Sequence, residues 1–384
     1  MSGEDSPAEP GLENYANKVA KSRSGADAAR VQRWEARAVL WDHSTLDRVR
    51  ACGRWAVTSD GSVQVRANGA AVGYAGLASC GSVWSCPVCS AKIQAVRRLE
   101  LQTAIAWALG RGAVMFATYT LRHHAGMDLR TLLRAQSACW KSVLQSGTVR
   151  RLREALGMEH SVRAAESTYG AHGFHPHQHL ILTSRRDDLD AHLVAQLHEA
   201  QSTVWVSAAL RLGYDAPHLD AQDMHLVTGA DAQRELSQYM AKAEYRPTAE
   251  AVAWEATGSL SKSGRRSGRT PWQVLDDFRT SGDLDDLDVW HRWERGSKGT
   301  RALSWSKGFR AAAGLLAEAK DEDIASAEVG TAADAGFVIE DWAPVRARPA
   351  LGAQLLGTIR GGRDWAAGRR FCAENGIETR EVAA

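Results

Sequence analysis

Apolar and polar positions along this chain change period several times, and each change marks an expected element. Val63-Gln64-Val65 alternates over a short stretch and predicts a strand. Residues 91–109 carry apolar positions at helical spacing, with Arg and Glu on the outer face. Residues 113–121 form a continuous run of β-forming residues between Gly112 and Arg122, which predicts a buried strand. Leu129, Leu132, Leu133, Trp140, Val143 and Leu144 recur at helical spacing. Residues 161–169 and 177–183 read as two further strands, and 189–212 as a helix. Another helix is expected over 232–245, with Asp231 as its N-cap. This order, strand, helix, strand, strand, helix, helix, fits an α+β domain built on an antiparallel sheet.

The same pattern divides the chain into segments. Residues 1–44 read as a flexible arm, polar and Ser/Gly/Ala-rich over 1–30. Residues 45–92 hold most of the cysteines, and 93–250 hold the strands and helices of the core. Residues 251–314 contain a basic loop and a helical stretch with Trp290, Trp293 and Trp305; 315–384 form a weakly patterned tail. No internal repeat is visible.

Apolar content of 44% and charged content of 24% suit a globular fold. No apolar run has the length of a membrane-crossing helix, and residues 1–10 lack the apolar core of a secretory signal, so a cytoplasmic protein is expected. The net charge of +2 is small but uneven: residues 90–160 hold eleven Lys or Arg against four Asp or Glu. Lys262, Arg265, Arg266 and Arg269 sit in a Gly/Ser-rich loop. Such patches suit a phosphate backbone, and they also occur on proteins that never touch nucleic acid.

In a reducing compartment, cysteines read as thiols or metal ligands before disulfides. Cys86-Pro87-Val88-Cys89 is a CxxC knuckle, with Cys80 just before it and Cys52 further upstream. Four thiolates satisfy a closed tetrahedral Zn²⁺ site. Gly53 and Gly81 each follow a cysteine, as tight knuckle turns require. A redox CxxC is the rival reading, although no clear βαβ pattern surrounds it. Cys139 and Cys372 stand alone and read as buried apolar residues. Trp84, between two cysteines, is expected to pack on the knuckle or to offer a face for a base.

Four of the thirteen histidines fall in His172-Gly173-Phe174-His175-Pro176-His177-Gln178-His179. On a strand, His177 and His179 point the same way, about 6–7 Å apart, which suits one divalent ion. The other reading is a His-rich turn that binds nothing. If the strands on either side of Gly170–Gly173 pair as a hairpin, Glu166 lands opposite His177, or opposite His179 with a longer loop. Glu166 would then complete a two-His, one-carboxylate metal site. His175, His123 and His124 either support that site or merely close turns.

Glu235, Tyr239 and Lys242 share one face of the helix expected over 232–245. Taken alone they read as ordinary surface and interface residues. Beside a divalent metal they acquire a mechanism: a phenol that attacks phosphorus, an ammonium that stabilises the charge, and a carboxylate that activates water.

Taken together, Phe116-Ala117-Thr118-Tyr119-Thr120, His175-Pro176-His177-Gln178-His179 and Glu235-Leu236-Ser237-Gln238-Tyr239 resemble, in family order, the motifs of rolling-circle replication initiators (Rep proteins) of the HUH endonuclease superfamily. The bacterial plasmid group with one tyrosine and one glutamate is the most similar, and Cys80, Cys86, Cys89 and Trp305-Ser306-Lys307-Gly308 resemble its actinobacterial members. The motif-bearing resemblance covers about residues 50–310. It implies an HUH-type central antiparallel sheet flanked by helices over 93–250, an upstream zinc module and a mostly helical C-terminal part. It implies Tyr239 as nucleophile, Glu235 as the activator of water at termination, and His177 and His179 as ligands of Mg²⁺ or Mn²⁺. Expected partners are plasmid origin DNA, nicked as a single strand or an extruded hairpin, with a host helicase and DNA polymerase, and no membrane. Relaxases and single-strand transposases share this chemistry, but relaxases place their tyrosine before the His motif. A non-catalytic, zinc-stabilised DNA-binding regulator is the reading from a different class.

Overall fold

A computed structural model describes residues 12–227, 268–359 and 364–382, with side chains from residue 26 onward. The chain divides into two compact units. The described residues of Met1–Ala38, Gly53–Ala78 and Glu328–Ala384 form one; those of Val39–Cys52 and Ser79–Ala327 form the other. These limits do not follow the sequence segments, because contacts between residues far apart in the chain define them.

In the smaller unit, β1 (Val63–Asn68) pairs with β2 (Ala71–Ala75) as a hairpin. β1 also pairs with β8 (Ala335–Ile339), which pairs in turn with β9 (Thr379–Glu381), giving an antiparallel sheet ordered β2-β1-β8-β9. Trp34, Tyr74 and Trp342 pack together beside it, Tyr74 edge to face on Trp342, and the Tyr74 hydroxyl donates to the Gly352 carbonyl at 2.7 Å. Two expectations are corrected here. The loose N-terminal arm contains a helix, α1 (Leu12–His43), and Trp34 on it is buried. The weakly patterned tail supplies two strands, each too short for its own periodicity to show before its distant partner is known.

The larger unit carries a five-stranded antiparallel sheet ordered β6-β3-β5-β4-β7. Its strands are β3 (Val114–Thr120), β4 (Met158–Gly170), β5 (Gly173–Ser184), β6 (Asp223–Leu226) and β7 (Leu303–Trp305). β7 corrects another expectation: Trp305 lies on a strand rather than in the helical stretch. Helices cover both faces. On one, Met115, Ala117 and Tyr119 of β3 and Leu180 and Leu182 of β5 pack on α4 (Leu129–Gln145) and α6 (Ala191–Arg211) through Trp140 and Trp205. On the other, Val114, Phe116, Val162 and Ile181 pack on Leu101, Ile105 and Ala108 of α3 (Pro87–Leu109). The α+β class, with antiparallel sheets flanked by helices and a mostly helical C-terminal region, is borne out.

Local chemistry starts and stops these helices. Asp128 caps α4 by accepting from the Thr131 amide at 2.9 Å, and Asp190 caps α6 through the His192 amide. α7 (Pro271–Ser281) opens with a Thr270/Gln273 capping box and Pro271 in its first turn, and ends at Gly282 in the left-handed region. α8 (Leu284–Ser297) buries Trp290 and Trp293, and its Glu294 accepts from the Ser44 hydroxyl and from the Thr45 amide and hydroxyl.

The β4–β5 hairpin sets the register on which the site depends. Its two-residue turn, Ala171-His172, is closed by the Gly170–Gly173 pair, and Glu166 stands opposite His177. Gly173 has φ +83°, and a Cβ there would come within 2.9 Å of Ala125 Cα, so both conformation and space require glycine.

Candidate functional site

Strand alternation places His177 and His179 on the face of β5 that also carries Ile181. Further along that face, Ile181 is sealed under α3. The opposite end of the face is polar: Glu166 of β4, His177 and His179 of β5, and Thr118 and Thr120 of β3 lie in adjacent ladder positions.

The three expected ligands come together. Glu166 Oε2 lies 3.3 Å from His177 Nε2 and 3.2 Å from His179 Nε2. All three ligand atoms fall within 4.8 Å of one another. Ligand atoms about 2.1 Å from an ion and at right angles lie about 3.0 Å apart, so these spacings match neighbouring positions of an octahedral site. Burial opposes the Glu166 charge, but the charges and hydrogen bonds of His177 and His179 outweigh it and hold the carboxyl well below its usual range.

The remaining ring nitrogens explain why both Nε2 atoms point inward. His177 Nδ1 donates to the His175 carbonyl at 3.3 Å, and a carbonyl can only accept. Its Nε2 therefore keeps a lone pair in the neutral ring. His179 Nδ1 lies 2.9 Å from the Thr118 hydroxyl, and the Phe116 ring stacks on the imidazole at 5.4 Å. Metal-ligating histidines characteristically have their second nitrogen held in this way. In the neutral rings these lone pairs converge with the Glu166 oxygen on one point, where a cation can take the place that protons on the imidazoles otherwise fill. The side chains of His179, His177 and Glu166 are 2%, 14% and 21% exposed, so the group opens towards solvent on one side.

The four cysteines also come together, and all are buried. Cys52 Sγ lies 3.7 Å from Cys86 Sγ and 3.5 Å from Cys89 Sγ, while Cys80 and Cys89 are 3.6 Å apart. Zn–S bonds of about 2.3 Å in a tetrahedron place sulfurs about 3.8 Å apart, whereas a disulfide needs about 2.05 Å. The spacing therefore fits four thiolates around one metal such as zinc. Hydrogen bonds from the other three thiols hold the Cys89 thiol well below its ordinary value. Gly81, at φ +64°, makes the turn after Cys80, and the Ser82 amide points at Cys80 Sγ at 3.5 Å. Trp84 packs against Trp293 and donates to the Thr300 carbonyl, leaving it 8% exposed; packing, not an open stacking face, is its role here.

The supporting residues separate. His123 Nδ1 and His175 Nδ1 are 3.3 Å apart, and His123 also contacts the Leu121 carbonyl. Burial, reinforced by the neighbouring histidines, pushes the His175 imidazole down to about 4. His124 is exposed. Arg269 pairs with Asp277 at 2.7 Å and Asp286 at 2.6 Å, and its backbone bridges to Tyr169, so its guanidinium is already engaged. Tyr239, Glu235, Lys242, Lys262, Arg265 and Arg266 lie outside the described residues.

Sequence reading missed the partners of the histidines. Thr118 and Phe116 belong to a recognisable strand, but their contact with His179 depends on β3–β5 register. It also missed Asp223 and His225 of β6, which share this face beside Thr118 and Phe116 and form a 3.0 Å contact. Their strand is only four residues long.

Among the described residues, the fold and these two groups define an α+β protein with an enclosed four-cysteine cluster and an accessible carboxylate–histidine group, each fit to hold a metal. In sequence, the chain is 28% identical over 313 residues to a protein named Protein rep from Streptomyces lividans, covering 65% of this chain and 67% of that protein. That similarity bears out the resemblance to a Rep protein. A Neomycin resistance protein from Streptomyces cyanogenus is 32% identical over 143 residues, covering 30% of this chain and 32% of that one. No family model matches the chain. No solved structure matches it.

Proposed function

We propose that this protein initiates rolling-circle replication of a plasmid by nicking one strand at the origin. The observation that carries the reading is the convergence of Glu166, His177 and His179 on one sheet face, in a chain similar to a Protein rep. Tyr239 is the nucleophile. Its phenolic oxygen bonds to the scissile phosphorus as the bond to the 3′ oxygen breaks, the phenolic proton passing by way of solvent to that oxygen, which leaves a 5′-phosphotyrosine link and a free 3′-OH primer. A Mg²⁺ or Mn²⁺ ion held by Glu166, His177 and His179 supplies electrostatic stabilisation and orientation of the phosphate when bound.

Lys242 stabilises charge on the transferring phosphoryl group. At termination Glu235 accepts a proton from water as the water displaces the tyrosine. His175, with His123 against it, supports His177 through its backbone carbonyl; His124 stands exposed beside them. Lys262, Arg265 and Arg266 contact backbone phosphates, while Arg269 ties the end of their loop to β4. The cysteine cluster holds structural Zn²⁺. Origin DNA is the substrate, a host helicase and DNA polymerase extend the primer, and the setting is the cytoplasm. None of the described helices is long and apolar enough to cross a membrane.

Supercoiled plasmid carrying this gene and its flanks, incubated with Mn²⁺ and the protein, tests the reading. Nicked circles and a covalent protein–DNA adduct are expected from the wild type, and no adduct from Tyr239→Phe. An adduct of undiminished yield from Tyr239→Phe overturns the nucleophile. DNA binding without an adduct from either protein, on a fragment shown to support replication, favours the non-catalytic regulator.

A further inference from the structure

A pocket of about 430 Å³ lies at the other end of the β4–β5 ladder, lined by Leu144, Arg150, Arg153, Glu154, Gly157, Met158 and Arg185. Met158 begins β4 and Arg185 directly follows β5. Eight residues of strand separate Arg185 from His177, roughly 26 Å. The pocket is thus remote from the carboxylate–histidine group and plays no part in the chemistry proposed above.

Three guanidiniums face one carboxylate there. Arg150 and Arg185 are exposed, and Arg185 has only a long 3.9 Å contact with Glu159. Arg153 is different. Its Nη1 is shielded from solvent and has no hydrogen-bond partner among the described residues. Burial pushes its pKa below the ordinary guanidinium value, with only Tyr119 acting the other way. A shielded donor without an acceptor is costly, and more so when it is charged. Arginine forks match the geometry of phosphate oxygens, and two further guanidiniums at the rim concentrate the same preference. Glu154 also lines the pocket, but it is exposed and leaves an excess of positive charge.

We propose that this pocket binds a phosphate group, with Arg153 as its half-buried anchor and Arg150 and Arg185 as its rim. The phosphate belongs either to a DNA backbone passing over α5 (Gly147–Ala155), which also exposes Arg151, or to a small phosphorylated molecule.

Two measurements on the full chain test this site independently of nicking. The first is thermal unfolding in inorganic phosphate against chloride at equal ionic strength. The second is anisotropy of a labelled DNA duplex over a salt series. Arg153→Met keeps the apolar stem and removes the fork. Arg151→Ala removes one charge from the same helix outside the pocket and serves as the control. Phosphate is expected to raise the unfolding temperature of the wild type and Arg151→Ala, but not of Arg153→Met.

If DNA is the source, Arg153→Met weakens duplex binding about tenfold and lowers the log–log salt slope by about 0.9, beyond any change in Arg151→Ala. Phosphate stabilisation with DNA binding equal to the control supports the site and assigns it to a small phosphorylated ligand. Absence of both effects overturns the proposal. Should Arg153→Met fail to fold, Arg150→Ala/Arg185→Ala, which alters only exposed residues, carries the same two measurements.

Discussion

The four cysteines and the Glu166–His177–His179 group lie in the same compact unit, yet they present their donor atoms in opposite ways. Cys52, Cys80, Cys86 and Cys89 are at most 4% exposed and surround a point from all sides. Four sulfurs fill a tetrahedron, so nothing else can approach a metal held there. The carboxylate–histidine group offers three donors from one sheet face, and its Glu166 side is 21% exposed. Three donors of six leave room for substrate oxygens. The difference comes from the backbone. A knuckle curls around its centre, whereas a ladder can present side chains only from one side. The first arrangement suits holding a fold together and the second suits meeting a substrate.

Removing one thiolate is the most severe way to break this comparison. Cys86→Ser is expected to abolish stoichiometric zinc and to collapse the unit, since structural zinc contributes roughly 10 kcal/mol or more to small domains. Metal analysis with circular dichroism checks it; a folded, zinc-free variant would falsify the structural assignment. His177→Ala probes the open group. Its side chain is 14% exposed, so folding and zinc content should persist while Mn²⁺-dependent nicking falls by about 100-fold or more. If unfolding temperature dropped as far as in Cys86→Ser, the two sites would not differ in the way described. The smallest effect is expected from Thr118→Val, which removes the hydroxyl that holds His179 Nδ1. Mn²⁺ affinity should weaken about 10–100-fold, and nicking at saturating Mn²⁺ should recover most of its rate. Titration calorimetry and rate against Mn²⁺ concentration separate those two quantities.

Much of the candidate site was legible because its chemistry is local. His177 and His179 are two residues apart on an apolar run, and strand geometry alone puts them on one face. The Gly170–Gly173 turn lies close enough to predict that Glu166 meets His177, and the ladder has that register. The CxxC knuckle with Cys80 and Cys52 was legible as a ligand set for the same reason: few arrangements satisfy four buried thiols. Less visible were Thr118 and Phe116, whose roles arise from pairing with a strand some sixty residues later. The smaller sheet was harder still. It joins β1 to strands more than 260 residues away, and a three-residue β9 has no period of its own. α1 was misread because its Ser, Gly and polar residues argue for a coil, whereas Trp34, Leu40 and Trp41 are buried on tertiary packing. Arg269 has surroundings that its sequence neighbours do not reveal. Those neighbours mark a basic loop, and two carboxylates further along the chain pair with its guanidinium.

By itself, then, the sequence determined the α+β class and the order of the motifs, narrowed the two candidate ligand groups and left the hairpin two registers, all of which depend on alternation, short turns and residue chemistry. Tertiary structure alone decided that the chain forms two units drawn from interleaved segments. It also decided which hydroxyl and ring hold His179, and that the Arg153 Nη1 is shielded without an acceptor among the described residues. Those outcomes depend on contacts between residues tens to hundreds of positions apart, and no local pattern encodes a partner that only folding brings near.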